Sequence, residues 1–242
     1  MSFRVVAGGD FACFTRPEMK VERVSYEMMT PSAARGLLEA IFWKPAIAYR
    51  IQSITPLEPV RFVQLRRSEV KSKAGVPGKT NWKNGTPVSR IDVDAMEKGR
   101  PNVPAERTLR STLALKDVAY LIKADFDLVR YGLGEAEEHG EHAAKAKYRD
   151  QIRRRINRGQ CYRRPYLGCR EFAAWFRPPE EGDTPALGTQ PLGRMLFDIR
   201  FDPVDASVKD YDATPHFFSA SLDGGVLHVP QEPYEDTIAA KH

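Results

Sequence analysis

Between Ser111 and Val129 the chain reads STLALKDVAYLIKADFDLV, with Val118, Tyr120, Ile122, Ala124 and Phe126 on one side of an alternating pattern. A period of two sends successive side chains to opposite faces, so this run predicts one long strand, or a strand pair, half buried against a core. Such a strand needs partners. They are expected at 3–14 (FRVVAGGDFACF), 47–65 (IAYRIQSITPLEPVRFVQL), 167–177 and 194–202, where β-branched and aromatic residues recur. Pro56 and Pro59 mark an edge or a bend in the second of these runs. A last strand pair is expected at Phe217–Ser221 and Val226–Val229, joined across Asp223-Gly224-Gly225.

Two stretches break this pattern in favour of helix. Thr30-Pro31-Ser32 places a proline at a first helical position, and Ala33 to Trp43 follows with Ala34, Leu37, Leu38 and Ile41 on one face. Pro45 ends that helix. The second runs from about Glu141 to Asn157, after an acidic loop at Gly134–Gly140, and stops at Gly159. The order strand, helix, strand, excursion, strand, helix, strand over residues 1–177 fits an α+β, ferredoxin-like pattern. Its insertion is the polar, glycine- and proline-punctuated segment 66–110, expected to be an extended excursion, with a hairpin as one form, that orders on a ligand. Residues 178–193 are expected to be loop.

Charge is segregated along the chain. Lys147 to Arg177 holds ten Lys and Arg against two acids, and Arg66 to Arg110 holds eleven against five, in a chain whose net charge is only +5. A polyanion gives that asymmetry a use, because each phosphate contact releases counterions and adds sequence-independent affinity. Three cysteines, Cys13, Cys161 and Cys169, without CxxC spacing, argue against a disulfide framework or zinc ribbon. No apolar run is long enough to span a membrane, and MSFRVVAGGDFACF lacks a signal-peptide pattern, so a cytoplasmic location is expected.

In the helix AKAKYRDQIRRRINRG, Tyr148, Ile152 and Ile156 form an apolar stripe, and Arg149, Arg153 and Arg155 fall largely off it. The run Arg153-Arg154-Arg155 has few acidic neighbours at helical spacing, apart from Asp150. Beyond it come Arg158, Arg163 and Arg164, interleaved with Tyr162 and Tyr166. Guanidinium forks for phosphates beside rings for bases suit single-stranded RNA. A solvated basic face is the plainer alternative. Lys44, where the first helix stops, is a further candidate phosphate contact. His139 and His142 have metal-ligand spacing but no third ligand, so no metal and no cofactor is expected. Phosphate-loop, nucleophile-elbow, zinc-protease and dinucleotide signatures are absent.

The segments GGDFACFTRPEMKVERVSYEMMTPSAARGLLEAIFWKPAI, TLALKDVAYLIKADFDL and RRRINRGQCYRRPYLGCREF resemble, in order, the Cas-five protein of subtype I-C CRISPR systems, the d-type branch of the RAMP superfamily. The resemblance implies a ferredoxin-like (RRM/RAMP) domain at 1–177 and a small antiparallel β-sheet domain at 178–242. It also implies a metal-independent endoribonuclease that cuts the CRISPR repeat and stays on the crRNA 5′ handle. Its implied partners are the backbone and large subunits of the Cascade complex and, through that complex, target DNA. The family's catalytic tyrosine, lysine and histidine fall by position on Phe42, Lys147 and Tyr148. Only the lysine is retained. Phe42 then offers a ring for stacking, and Tyr148, with an ordinary pKa near 10, a proton donor or a 2′-hydroxyl orienter. Two alternatives stand beside the nuclease: a crRNA-binding scaffold subunit that does not cut, and a nonspecific DNA-binding protein.

Overall fold

A computed structural model describes residues 2–19, 21–72, 83–84, 92–129, 131–205 and 210–239. The chain forms two compact units, Met1–Val63 with Leu113–His242, and Gln64–Thr112.

The strand predicted at 111–129 is one continuous element, β7 (Arg107–Leu128). Its flanks are β1 (Phe3–Ala12) and β3 (Ile47–Pro56), both antiparallel to it, with Val5 opposite Ile122 and Ile54 opposite Ile122 on its other side. Ile122 is fully buried, as the alternation requires, together with Tyr120, Ala124 and Phe126. Outside β1 lies β8 (Trp175–Arg177). Outside β3 come β11 (Val226–His228), β10 (Asp210–Asp223) and β9 (Gln190–Asp205), giving the order β8-β1-β7-β3-β11-β10-β9 among the described residues. The C-terminal strands thus join this sheet through Leu227 opposite Ile54.

Helix α1 (Pro31–Ile41) packs on β3 and β9. Thr30 caps it by accepting a hydrogen bond from the Ala33 N–H at 3.3 Å, and Ala34, Leu37, Leu38 and Ile41 are buried as expected. Beside α1, touching its C-terminal end through Arg155, lies α3 (Glu141–Arg158), whose buried stripe is Ala144, Tyr148, Ile152 and Ile156. Gly159 ends α3 in a left-handed conformation, φ 62°, which closes the last turn. Between α1 and β9 the Arg35 guanidinium holds the Asp198 carboxylate with two bonds, at 2.8 and 2.9 Å.

Several expectations are corrected. The acidic loop at Gly134–Gly140 is instead helix α2 (Tyr131–His139): alanine and glutamate outweigh Gly132 and Gly134 there. The strand expected at 167–177 is confined to β8, because Leu167 to Phe172 is folded into turns over the end of β1. The run 47–65 divides into β3 and β4 (Phe62–Val70), separated around Pro59. Within the 66–110 excursion, β4 reaches Val70 and pairs with β7, and a hairpin of the kind expected there is formed by β5 (Met96–Glu97) with β6 (Arg100–Pro104). Two elements were not anticipated, the short β2 (Arg23–Val24) and α4 (Glu232–Ala239). Among the described residues no helix is long and apolar enough to cross a membrane.

Candidate nucleic-acid interface

The end of α1 is where the basic loop docks. A helix leaves its last carbonyls without intrahelical partners. Here the Tyr162 N–H donates to Ala40 O (2.9 Å) and Ile41 O (3.1 Å), the Arg163 N–H donates to Ala40 O (2.9 Å), and Arg155 Nη1 donates to Ile41 O (2.8 Å). Satisfying these carbonyls fixes the backbone of a loop on which Tyr162, Arg163, Arg164 and Arg170 are exposed. Tyr162 is 63% exposed, with the Arg163 guanidinium 5.9 Å from its ring centre. Arg163, Arg164, Tyr166 and Arg170 line a cavity of about 300 Å³ floored by Gly36 and Ala40.

The same loop is pinned at its far end. Gly168, at φ 80°, sits so close to β1 that a Cβ there would lie 2.0 Å from Cys13 O, and the Cys13 N–H donates to Leu167 O at 3.0 Å. Only glycine combines that backbone with that approach. Residues 159–172 are therefore held at both ends, with the arginines between.

Lys147 and Tyr148 lie about two turns into α3, facing α2. The Lys147 ammonium is 2.9 Å from Glu135 Oε2, and the Tyr148 hydroxyl donates to Glu135 Oε1 at 3.0 Å. The Tyr148 ring is buried edge-on against Phe126, and Lys147 Nζ lies 5.2 Å from its centre. Burial, and then the hydrogen bond to the Glu135 carboxylate, push the Tyr148 phenol up to about 12. The hydrogen bond from Lys147 is the main cause holding the Glu135 carboxyl below its usual range. Lys147 itself is half exposed, so part of its donor capacity faces outward.

Phe42 is elsewhere. Its ring is buried under the Arg155 guanidinium, 5.2 Å from the ring centre, and its carbonyl accepts from the Tyr49 hydroxyl at 2.7 Å. Arg155 is eight residues from Lys147, about 12 Å along the helix axis. The structure brings Lys147 and Tyr148 together with Glu135, a partner that sequence reasoning placed in a loop, and sets Phe42 about two turns away. Among the remaining predicted contacts, Lys44, Arg153, Arg154, Arg158, Arg163 and Arg164 are exposed. Arg155 is committed to Ile41 and Phe42. Arg149 is half-buried, and its Nε has no acceptor among the described residues.

Residues 5–230 match the Cas5d family, described as CRISPR-associated protein (Cas_Cas5). The chain is 39% identical over 232 residues to a protein of Mannheimia succiniciproducens named CRISPR pre-crRNA endoribonuclease Cas5d, covering 92% of each. It is 39% identical over 247 residues to the protein of that name in Thermus thermophilus, covering 96% of this chain and 93% of the other. A solved structure described as a CRISPR-associated protein aligns with a TM-score of 0.61 at 18% identity, over 96% of this chain and 93% of that one, a likeness of fold.

Proposed function

The chain belongs to the Cas5d family of CRISPR-associated proteins, and we propose that it cuts precursor CRISPR RNA within its repeats and holds the 5′ handle of the product. In that role it is a subunit of a crRNA-guided surveillance complex, in contact with the repeated backbone subunit, the large subunit and, through the complex, target DNA. What carries the reading is the match over nine-tenths of both chains to proteins named pre-crRNA endoribonucleases. The strand order β8-β1-β7-β3 with α1 and α3 as crossovers supports reading residues 1–177 as ferredoxin-like, with 178–242 as its C-terminal β-sheet extension.

The chemistry follows from the donors available. The ribose 2′-hydroxyl gives its proton to solvent as it attacks the neighbouring phosphorus, the bond to the 5′-oxygen breaks and that oxygen takes up a proton, and the products are a 2′,3′-cyclic phosphate and a 5′-hydroxyl, without a metal ion. Lys147 stabilises the charge that builds on the phosphoryl oxygens. Tyr148, protonated at neutral pH because its phenol sits near 12, acts as a donor rather than a base. The exposed arginines from Arg153 to Arg164 grip the phosphates, and Tyr162 offers a ring to an unpaired base.

A second reading, a crRNA-binding subunit that does not cut, is favoured by two observations. The Tyr148 hydroxyl is committed to Glu135, and Phe42, buried beneath Arg155, offers no hydroxyl. Incubating the protein with labelled repeat RNA in EDTA separates the two. The nuclease reading expects cleavage by the parent and a loss of about a hundredfold or more in Lys147→Ala, with RNA affinity changed only a few-fold. Tight binding without any cutting by the parent selects the second reading.

A further inference from the structure

Beyond Arg177, β8 stops pairing with β1, and Pro178 and Pro179 carry the chain onward while β1 continues back to Phe3. The resulting gap at the sheet edge is a cavity of about 560 Å³, bounded by β1, β7 and the last turns of α3. Its polar lining is Ser2, Arg4, Lys123, Arg153 and Asn157, with no carboxylate. That makes three cations from three elements around one opening, and among the described residues none of them has an ion-pair partner. Arg4 and Lys123 are moreover directly opposite one another in the β1–β7 register. Like charges at opposed positions of an antiparallel pair destabilise it, and elsewhere on this sheet the opposed pair Arg50 and Asp125 carries opposite signs. A bound anion removes the repulsion. The remaining lining suits a phosphodiester: a hydroxyl, an amide, guanidinium forks and an ammonium supply donors, while Phe3 and the two prolines supply an apolar wall. Arg153 and Asn157, four residues apart, share one side of α3, so the cavity is continuous with the helix whose arginines face outward.

We propose that this cavity binds a phosphate of a single-stranded RNA segment, with Arg4 and Lys123 as contacts beyond the Lys147–Arg164 stretch. The inference rests on the RNA-binding reading above.

The substitution Lys123→Glu provides the test, because it places opposite charges across the β1–β7 pair while removing a phosphate ligand. Its melting temperature is expected to hold or rise. Its affinity for labelled repeat RNA is expected to fall on the order of tenfold, with the slope of log affinity against log salt shallower by about 0.7. Lys123→Gln, which removes the charge without adding one, decides the matter if the glutamate variant is less stable. Unchanged affinity and slope in the glutamine variant, while the parent binds the same RNA, overturns the cavity assignment and leaves the RNA-binding reading in place. A parent that binds no repeat RNA overturns that reading, and the cavity assignment with it.

Discussion

Glu135 is the residue that decides how Lys147 and Tyr148 behave. Its carboxylate takes the tyrosine proton in a hydrogen bond and one lysine donor at once. Replacing Tyr148 with Phe keeps the packing against Phe126 and deletes the hydroxyl, so the stability lost is expected to be about 1 kcal/mol, measured by urea denaturation. Activity then separates two roles: a proton-donating Tyr148 makes the phenylalanine variant slower in cleavage, whereas a purely structural hydroxyl leaves the rate unchanged. The pH dependence has a definite sign. The folded phenol titrates near 12 and an unfolded one near 10, so the unfolded chain loses its proton first. The stability contributed by neutral Tyr148 is complete below about pH 10 and falls as pH rises toward 12, which alkaline melts of the parent and Tyr148→Phe would reveal as a difference confined to that window. The apolar stripe containing Tyr148 was visible in sequence as spacing. Its partner was not, because an acidic run with two glycines reads as loop until α2 packs beside α3.

The candidate nucleic-acid interface is a loop suspended between two anchors, the end of α1 and the end of β1. Gly168→Ala would drive a methyl group into Cys13 O and force a positive φ on a non-glycine residue. A cost of about 2 kcal/mol or more is expected, read by thermal denaturation, together with weaker RNA binding as Arg163 and Arg164 lose their fixed backbone. The Arg35–Asp198 pair is a control at a distance: Asp198→Ala is expected to cost about 1–2 kcal/mol by removing the two bonds to Asp198 while the guanidinium keeps Glu39 at 2.8 Å. RNA affinity should stay the same, as a filter-binding titration would show. Helices α1 and α3 were legible from their period and punctuation, down to the Pro31 start and the Gly159 stop, whereas α2 and α4 were not. The docking of 159–172 was not, since nothing local to RPYLGCREF says that Leu167 will meet Cys13, more than 150 residues earlier.

Across the whole molecule the sheet order joins residues far apart in the chain, as where Leu227 lies opposite Ile54. Alternation showed which segments were strands and which faces were apolar. Register and neighbours were not readable, because any of several apolar faces could pair until all of them compete for one core. The 64–112 unit is described in part: Lys71 and Lys83 are exposed, and Lys73 and Lys79 lie outside the described residues. Charge reversal at Lys71 and Lys83 is expected to weaken RNA binding and flatten its salt dependence, in fluorescence titrations at two or more salt concentrations. In the proposed mechanism this family member cuts RNA with the substrate's own 2′-hydroxyl and Lys147. The direct measurement incubates the parent protein in EDTA with repeat RNA carrying a single 2′-deoxy sugar at the cut, beside the all-ribose RNA. Cleavage of the all-ribose strand to a 2′,3′-cyclic phosphate, with the deoxy strand bound but intact, is the predicted result; equal cutting of both strands, or of neither, contradicts it.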